Sequence, residues 1–316
     1  MAKNSVLTTR TAKVAALAKL NLGLKVLYKR PDRFHELRTV FQTISLADTI
    51  EIAFTPGRMT NVALESETYI PDNLIIKVAQ LVMEASNAKG HVHLTLTKKI
   101  PMGGGLGGGS TDAAAVLLAL PVLTGRPLPL EKLIELAAEL GSDIPFFLLG
   151  GTALGIGRGT ELYPLPELPA LNALVVAPHL HVSTPDAYRA LNRKLTTDLP
   201  FQYISSFQSR VWSLVEQYCE NDFQAVVFEQ YPHLKSIQRK LTKLGAKPAM
   251  LTGSGAALFG VFDSSQAVMG ALPAFASEKA YPVVFVGRNR YRSIWRRQLK
   301  DHVLGEVWPP QSRYAR

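Results

Sequence analysis

The sequence predicts a protein of two domains that mixes helices with strands, in the α+β or α/β class. A chain of 316 residues is long enough for two domains. Apolar residues that alternate as in strands are followed repeatedly by apolar residues at helical spacing. A proline-rich stretch, residues 163–169, interrupts this order and marks a domain boundary.

Each element of the prediction follows from its apolar pattern. In the first half, strand-like segments are residues 14–29, 49–54 and 91–97. Helical segments there are residues 73–84 with Asp72 as the N-cap, a stretch that begins at Ser110, and residues 130–140 closed by Gly141. After the proline-rich stretch, strands that alternate with helices are predicted at residues 173–177, 249–252 and 257–262.

The two ends of the chain differ from the rest in charge. Residues 1–19 hold four cations and no acid, and residues 287–316 hold eight cations and two acids, which together account for the net charge of +10. Because the region between them is formally neutral, no nucleic-acid partner is predicted. We divide the chain into an unstructured lead-in (1–14), an N-terminal domain (15–168), a C-terminal domain (169–300) and a basic tail (301–316).

Composition indicates a globular protein without a membrane partner. Hydrophobic residues make up 47% and charged residues 19% of the chain, and the longest apolar run, residues 113–120, is far shorter than a membrane span. Cys219 is the only cysteine, which predicts a reducing compartment, the cytoplasm, and a packing role for its thiol. His91 and His93 share a strand face but have no third ligand nearby, so no protein metal site is predicted.

Six glycines lie between a predicted strand and a predicted helix, in residues 100–114 (IPMGGGLGGGSTDAA). Glycine permits positive φ and close approach of the backbone to a ligand, so such a loop can turn its N–H groups toward an anion. The helix that begins at Ser110 would add its dipole to that field. The sequence therefore predicts a phosphate-binding loop.

Two familiar glycine motifs are alternatives. A Walker loop needs a lysine before its serine or threonine, whereas Gly109 precedes Ser110. Gly103, Gly105 and Gly108 satisfy the dinucleotide pattern G-x-G-x-x-G, but the acid expected about 20 residues later is missing. A nicotinamide or flavin oxidoreductase stays open as a weaker alternative.

Three further segments combine with the glycine loop, namely residues 18–24 (AKLNLGL), 141–147 (GSDIPFF) and 251–256 (LTGSGA). The loop has the form Pro-x-Gly-x-Gly-Leu-Gly-x-x-Ser, and the four segments in this order resemble the GHMP kinase family over about residues 19–262. The resemblance implies an α+β fold with a ribosomal-protein-like N-terminal domain and a ferredoxin-like C-terminal domain. ATP and substrate would bind in the cleft between them.

Finer features resemble one branch of that family. Residues 30–35 (RPDRFH), 72–75 (DNLI) and 143–147 (DIPFF) are similar to the members that phosphorylate 4-diphosphocytidyl-2-C-methyl-D-erythritol in the non-mevalonate route to isoprenoid precursors. The implied reaction moves the γ-phosphoryl group of ATP to the tertiary 2-hydroxyl of this small molecule. Homoserine, mevalonate and galactose kinases are the nearest alternatives.

The resemblance implies a catalytic pair. Asp143 would accept the hydroxyl proton, and Lys19 would keep Asp143 ionised and stabilise charge on the transferred group. Taken alone, Asp143 is typical of a helix cap and Lys19 of an ordinary strand lysine. The joint pattern favours the catalytic interpretation.

The resemblance also implies a cytosine site. Phe34 would stack on the base and His35 would bind its edge, while Tyr188 is either a second wall of this slot or a core residue. Phe34 replaces the family's usual tyrosine, and Arg33 its usual glycine. The remaining implied substrate contacts are Asn21, Asn73, Gly253 and Ser254.

The implied ATP contacts surround the glycine loop. They are Lys98 (or Lys99 if the register differs by one), Pro101, Met102, Gly103, Gly104, Gly105, Leu106, Gly107, Gly108, Gly109, Ser110 and Thr111. A hydroxyl of Ser110 or Thr111 would lie near Mg²⁺ and the phosphates. Asp112 would either draw the metal closer or complement the helix dipole. The sequence leaves open whether the protein is a monomer or a homodimer.

Overall fold

The computed structural model describes residues 8–191 and 207–303. Its strands are β1 (Arg10–Lys29), β2 (His35–Pro56), β3 (Asn61–Ser66), β4 (Gly90–Thr97), β5 (Thr152–Gly157), β6 (Glu161–Pro164), β7 (Asn172–Ala177), β8 (Ala249–Leu251), β9 (Leu258–Phe262) and β10 (Lys279–Val284). The helices are α1 (Leu74–Ala85), α2 (Gly108–Thr124), α3 (Leu130–Leu140), α4 (Ile144–Leu149), α5 (Thr184–Leu191), α6 (Trp212–Val215), α7 (Phe223–Gln230), α8 (Pro232–Lys243), α9 (Ser265–Ala271) and α10 (Arg288–Gln298). Half of the predicted lead-in (residues 1–7) and most of the predicted basic tail (304–316) lie outside the described residues.

A long antiparallel hairpin of β1 and β2 runs through both halves of the molecule. The pairing extends from Arg10 opposite Phe54 to Lys29 opposite His35, with three register shifts. Along β1, Val14 packs in the core of the N-terminal domain, whereas Leu24 packs in the core of the C-terminal domain. The predicted lead-in is therefore wrong for residues 10–14, which begin this strand because alternate side chains face the core.

The N-terminal sheet has the order β3-β4-β2-β5-β6, with β1 also paired to β2. Strand β2 is the centre of this sheet because its first half pairs with β5 and its second half with β4. Only the β3–β4 pair is parallel, and the other pairs are antiparallel. The sheet is thus not the parallel, doubly wound sheet that a dinucleotide-binding domain requires.

Helices cover one face of this sheet. Helix α2 is apolar on all sides, and its residues 113–120 are almost completely buried, so it forms the centre of the N-terminal core. Helix α1 begins after Asn73, whose Oδ1 accepts a hydrogen bond from the Ile75 N–H at 3.2 Å. The expected cap, Asp72, is wrong by one residue. Within the described ranges, no helix combines the length and apolarity needed to span a membrane.

The C-terminal sheet has the order β10-β7-β9-β8, with antiparallel pairs throughout. Helices α7, α8 and α9 pack against it. Helix α10 instead returns to the N-terminal core, where Tyr291 and Trp295 are buried. The predicted C-terminal domain (169–300) therefore wrongly includes α10, because the buried side chains of this helix pack in the N-terminal core.

Shortening a side chain in α2 should destabilise the whole N-terminal core. Leu118 is 1% exposed, so Leu118→Ala removes buried contacts and leaves a cavity that costs about 2–5 kcal/mol of unfolding free energy. Urea unfolding followed by circular dichroism measures this loss. The same change at Leu214, which is 52% exposed, should shift the free energy by less than about 0.5 kcal/mol. Equal effects of the two substitutions would contradict the packing described here.

Candidate active site

Three separate sequence motifs meet at the middle of β1. The Lys19 N–H donates to the Leu106 carbonyl of the glycine loop at 3.0 Å. Two residues along the strand, the Asn21 N–H donates to the Thr252 hydroxyl at 3.0 Å. The glycine loop in turn accepts a hydrogen bond from the Ala256 N–H to the Gly103 carbonyl at 3.2 Å. Backbone bonds therefore hold the three segments together.

Glycine is required in this loop for a steric reason. Gly105 has a φ of +74°, and a Cβ there would lie 2.3 Å from the Thr252 carbonyl oxygen. Gly107 also has a φ of +74°, and a Cβ there would lie 2.7 Å from the Phe147 ring. A larger residue would push the loop away from the C-terminal domain at Gly105 and away from α4 at Gly107.

A cavity of about 280 Å³ lies against the loop. Most of the residues predicted to contact ATP line it, and they are Lys98, Pro101, Met102, Gly103, Gly104, Gly105, Leu106, Gly107, Gly108 and Gly109. Asn73 lines the same cavity, and its buried Nδ2 has no hydrogen-bond partner among the described residues. Helix α2 begins at this cavity, so its first N–H groups are unsatisfied within the helix. These donors suit a phosphate group.

The two hydroxyls predicted near Mg²⁺ differ in placement. Thr111 is buried, and its hydroxyl donates to the Leu17 carbonyl of β1 at 2.8 Å. Of the two alternatives, this geometry favours Ser110, because the Thr111 hydroxyl is bound to β1. Ser110 is half-buried at the start of α2 and stays the candidate. The buried Asp112 Oδ1, at the edge of the cavity, has no partner among the described residues.

Lys19 and Asp143 lie next to each other at the cleft. The Lys19 Nζ is 3.2 Å from the Asp143 Oδ2 and donates to the Asn21 Oδ1 at 2.7 Å. Lys19 is 3% exposed, whereas the side chain of Asp143 is 35% exposed. The Asn21 Nδ2 donates to the Thr39 hydroxyl at 2.8 Å, which fixes the amide. A buried ammonium thus holds a carboxylate that solvent and ligands can reach.

The position of Asp143 bears on its alternative role as a helix cap. It precedes α4, but its side chain makes no capping hydrogen bond. Its carboxylate faces Lys19 instead. Burial and the negative charge of Asp143 raise the pKa of Tyr188 above its usual range, so this phenol stays neutral. The carboxylate therefore has one cation and one aromatic ring as neighbours.

The predicted cytosine-binding residues divide between two ring contacts. The ring of His35 stacks on that of Tyr188, with centroids 4.5 Å apart and planes 17° apart. Phe34 is 47% exposed, and the guanidinium carbon of Arg158 lies 3.5 Å from its ring centroid. Phe34 and His35 lie at the turn of the β1–β2 hairpin, whereas the glycine loop contacts the middle of β1. Arg33, before Phe34, has a φ of +70°, the conformation in which the family's usual glycine has no steric cost.

The second glycine turn (residues 251–256) is bonded to neighbouring elements through one backbone group and one side chain. The Gly253 carbonyl accepts a hydrogen bond from the Asn221 Nδ2 at 2.8 Å. The Ser254 hydroxyl lies 2.7 Å from that of Thr184, at the start of α5. Both predicted residues therefore tie the turn to neighbouring elements of the C-terminal domain.

Lys98 belongs to a buried cluster of charges that the sequence did not predict. Its ammonium binds Asp48 and lies 2.7 Å from the Asp112 Oδ2. Burial opposes the charge of Lys98, but Asp112 and Asp48 outweigh it and raise the pKa of Lys98. Burial raises the pKa of Asp112 to about 7, with Lys98 opposing the rise and Asp48 adding to it. Asp112 thus has a structural partner besides the helix dipole.

Sequence reasoning missed Asp48, Thr39, Thr252 and Arg158. The one available signal was Asp48, an acid directly before the predicted strand 49–54. Buried acids are rare without a partner, so this acid could have been paired with a lysine. The hydroxyls of Thr39 and Thr252 gave no such signal, because threonine is common in strands.

The comparisons with known proteins agree with this geometry. The families described as GHMP kinases N terminal domain and GHMP kinases C terminal match residues 73–151 and 203–277. A 4-diphosphocytidyl-2-C-methyl-D-erythritol kinase of Solibacter usitatus (strain Ellin6076) is 55% identical over 314 residues, which cover 97% of this chain and 99% of that protein. The chain belongs to the GHMP kinases, in the 4-diphosphocytidyl-2-C-methyl-D-erythritol kinase family.

Two further matches to this kinase family have lower identity. A relative from Geobacter sp. (strain M21) with the same name is 38% identical, over 80% of this chain and 90% of its own. A crystal structure of 4-(cytidine 5'-diphospho)-2C-methyl-D-erythritol kinase has a TM-score of 0.75 and 36% identity, and covers 87% of this chain and 99% of its own. Homoserine kinase from Cytophaga hutchinsonii, at 17% identity and a TM-score of 0.65, shares the fold. The predicted two-domain GHMP kinase fold is confirmed.

A methyl group at Gly105 should disrupt the junction of loop, strand and second domain. Gly105→Ala combines positive φ with a backbone clash, and the strain alone lowers the free energy of unfolding by about 1–3 kcal/mol. Urea unfolding without nucleotide measures this change. Gly109→Ala is the matched control, because no atom lies within 4 Å of its Cβ position. A loss of stability as large for Gly109→Ala would contradict the steric explanation.

Proposed function

We propose that this chain transfers the γ-phosphoryl group of ATP to the 2-hydroxyl of 4-diphosphocytidyl-2-C-methyl-D-erythritol. The observation that carries the proposal is the Lys19–Asp143 pair, 3.2 Å apart, between the glycine-loop cavity and the aromatic residues of the hairpin end. A phosphate donor on one side and a base-bearing acceptor on the other would meet at this pair. The names of the relatives support the same acceptor.

The reaction needs a group that accepts the hydroxyl proton, and it needs the attacking and leaving oxygens to lie in line with the γ-phosphorus. Asp143 takes the proton of the 2-hydroxyl, and the resulting oxygen attacks the γ-phosphorus. The bond from that phosphorus to the β,γ-bridging oxygen breaks, and ADP leaves. The Lys19 ammonium pairs with the Asp143 carboxylate and stabilises negative charge on the transferred group. Asn21 holds the Lys19 ammonium in place.

The glycine loop and the start of α2 bind the phosphates through backbone N–H groups. Mg²⁺ would enter with the nucleotide and would supply positive charge that offsets that of the phosphates. Ser110 would hold the metal, and the unpartnered oxygen of Asp112 fits the same ion, because hard cations prefer oxygen ligands. The unpartnered amide of Asn73 donates to the nucleotide in this arrangement.

The hairpin end recognises the cytidyl group. Phe34 offers a ring for stacking, which does not need the missing tyrosine hydroxyl. His35 binds the edge of the base, and Tyr188 supports the histidine ring by the stack already in place. A mevalonate, homoserine or galactose kinase has no use for these rings, so they favour the cytidyl acceptor. We place the enzyme in the cytoplasm, where the half-buried Cys219 stays a thiol, and propose neither a nucleic-acid nor a membrane partner.

Removing the charge of Asp143 should slow the chemical step. Asp143→Asn keeps the shape but cannot take a proton, so kcat should fall by a factor of about 10² to 10⁴ with ATP binding nearly unchanged. Steady-state kinetics and calorimetric titration with an ATP analogue measure the two quantities. Asp263→Asn, an exposed acid outside the cleft, is the control. Retained turnover in Asp143→Asn would overturn the role of this carboxylate.

Truncating Phe34 should weaken the acceptor without affecting the nucleotide. Phe34→Ala removes the stacking ring, which should raise the KM for the cytidyl substrate by the equivalent of ~1–3 kcal/mol. The KM for ATP should stay constant in the same assay. Tyr163→Ala removes a ring of similar exposure on β6 and is the control. An unchanged acceptor KM in Phe34→Ala would refute stacking on this ring.

A further inference from the structure

Asp48 anchors the segment that leads from β4 into the glycine loop. Its carboxylate is completely buried on β2, and its Oδ1 accepts the Lys99 N–H at 2.5 Å and the Ile100 N–H at 2.8 Å. Its Oδ2 accepts a hydrogen bond from the Lys98 ammonium. One carboxylate thus binds donors from three successive residues.

Lys98 extends this anchor to the helix beyond the loop. Its ammonium also binds Asp112, in the first turns of α2, at 2.7 Å. A Cβ on Gly108 would lie 3.3 Å from the Lys98 Nζ, so the ammonium touches the junction of loop and helix. The cluster therefore fixes both ends of the glycine loop, the first through Asp48 and the second through Asp112.

Attraction of the phosphates does not explain this cluster. With a pKa of about 7, Asp112 is ionised in only part of the molecules near neutral pH, but the one ammonium and two carboxyl groups carry no net positive charge in either state, so the cluster does not attract an anionic ligand. Burying three charges also opposes folding unless each is well bonded. A fixed geometry, by contrast, has a clear use, because a preformed loop loses less entropy when a ligand binds.

We propose that Asp48 is a positioning residue for the nucleotide. It holds Lys98 and the segment before the glycine loop, so that the N–H groups of the loop and of α2 are in place before the phosphates arrive. This proposal rests on the proposed use of ATP.

The test is the affinity of the protein for Mg·ADP, measured by isothermal titration calorimetry. Asp48→Asn keeps an oxygen for the two backbone N–H groups, but the NH2 group that replaces the second oxygen cannot accept a hydrogen bond from Lys98. We expect Mg·ADP to bind about 10-fold more weakly, as for other outer partners that orient a binding group. The KM for ATP should rise by a similar factor, whereas the KM for the acceptor should not change.

The sign of the effect separates positioning from simple charge. Removing a negative charge near the phosphates would by itself tighten binding, so equal or tighter binding by Asp48→Asn would overturn the proposal. The control is Gln42→Met on the same strand, equally buried and bonded to Thr152 and the Val286 carbonyl. It should lower the melting temperature without changing the affinity for Mg·ADP. Weakening of the same size by Gln42→Met would also overturn the proposal.

A second variant covers the case in which Asp48→Asn does not fold. Lys98→Gln leaves Asp48 bonded to the two backbone N–H groups and removes the link to α2, so Mg·ADP should again bind about 10-fold more weakly. Unchanged binding by Lys98→Gln would overturn the proposal. Failure of the wild-type protein to bind Mg·ADP would instead contradict the proposed function.

Discussion

The site depends on one short piece of backbone, the middle of β1. There the N–H of Lys19 binds the glycine loop, and the N–H of Asn21 binds the second glycine turn through Thr252. Because side chains of β1 pack in the cores of both domains, this strand fixes the two domains and the loop relative to one another. A site on a rigid strand is held more precisely than one on loops alone. The side chain of Lys19 then pairs with the Asp143 carboxylate, and that of Asn21 binds the Lys19 ammonium.

Buried charge has two uses around this strand. At the cleft, Lys19 lies beneath an accessible carboxylate, so the ion pair is exposed only on the side where an acceptor would approach. Beside the loop, Lys98 is enclosed between Asp48 and Asp112. The first arrangement leaves the Asp143 carboxylate free to react, and the second holds backbone in place. The same residue type, lysine, therefore has two different surroundings within one site.

Local patterns in the sequence predicted much of this structure. The glycine loop, the strands on either side of the proline-rich stretch and the motifs around Lys19 and Asp143 are short segments whose residues determine their own conformation. Their meeting at one cleft was available only through resemblance to a family. The Lys98–Asp48 contact joins residues 50 positions apart, and no local pattern reports such a distance.

The predictions that the structure corrects also depend on contacts that form only in the assembled fold. The sequence left Ser110 and Thr111 as alternatives near the metal, but position in a helix decides which way a side chain points, and the Thr111 hydroxyl bonds to Leu17. The return of α10 to the N-terminal core depends on which apolar surface is left uncovered, a property of the assembled fold. The helix cap at Asn73 rather than Asp72 shows that two adjacent polar residues can each suit the position.

The most direct measurement is phosphorus NMR of the purified protein with Mg·ATP and 4-diphosphocytidyl-2-C-methyl-D-erythritol, with mevalonate and homoserine in parallel samples. A new phosphomonoester signal on the erythritol, formed together with ADP and absent from the other two samples, is the predicted result. Phosphorylation of mevalonate or homoserine alone would contradict the cytidyl site, and no consumption of ATP with any acceptor would contradict the kinase itself.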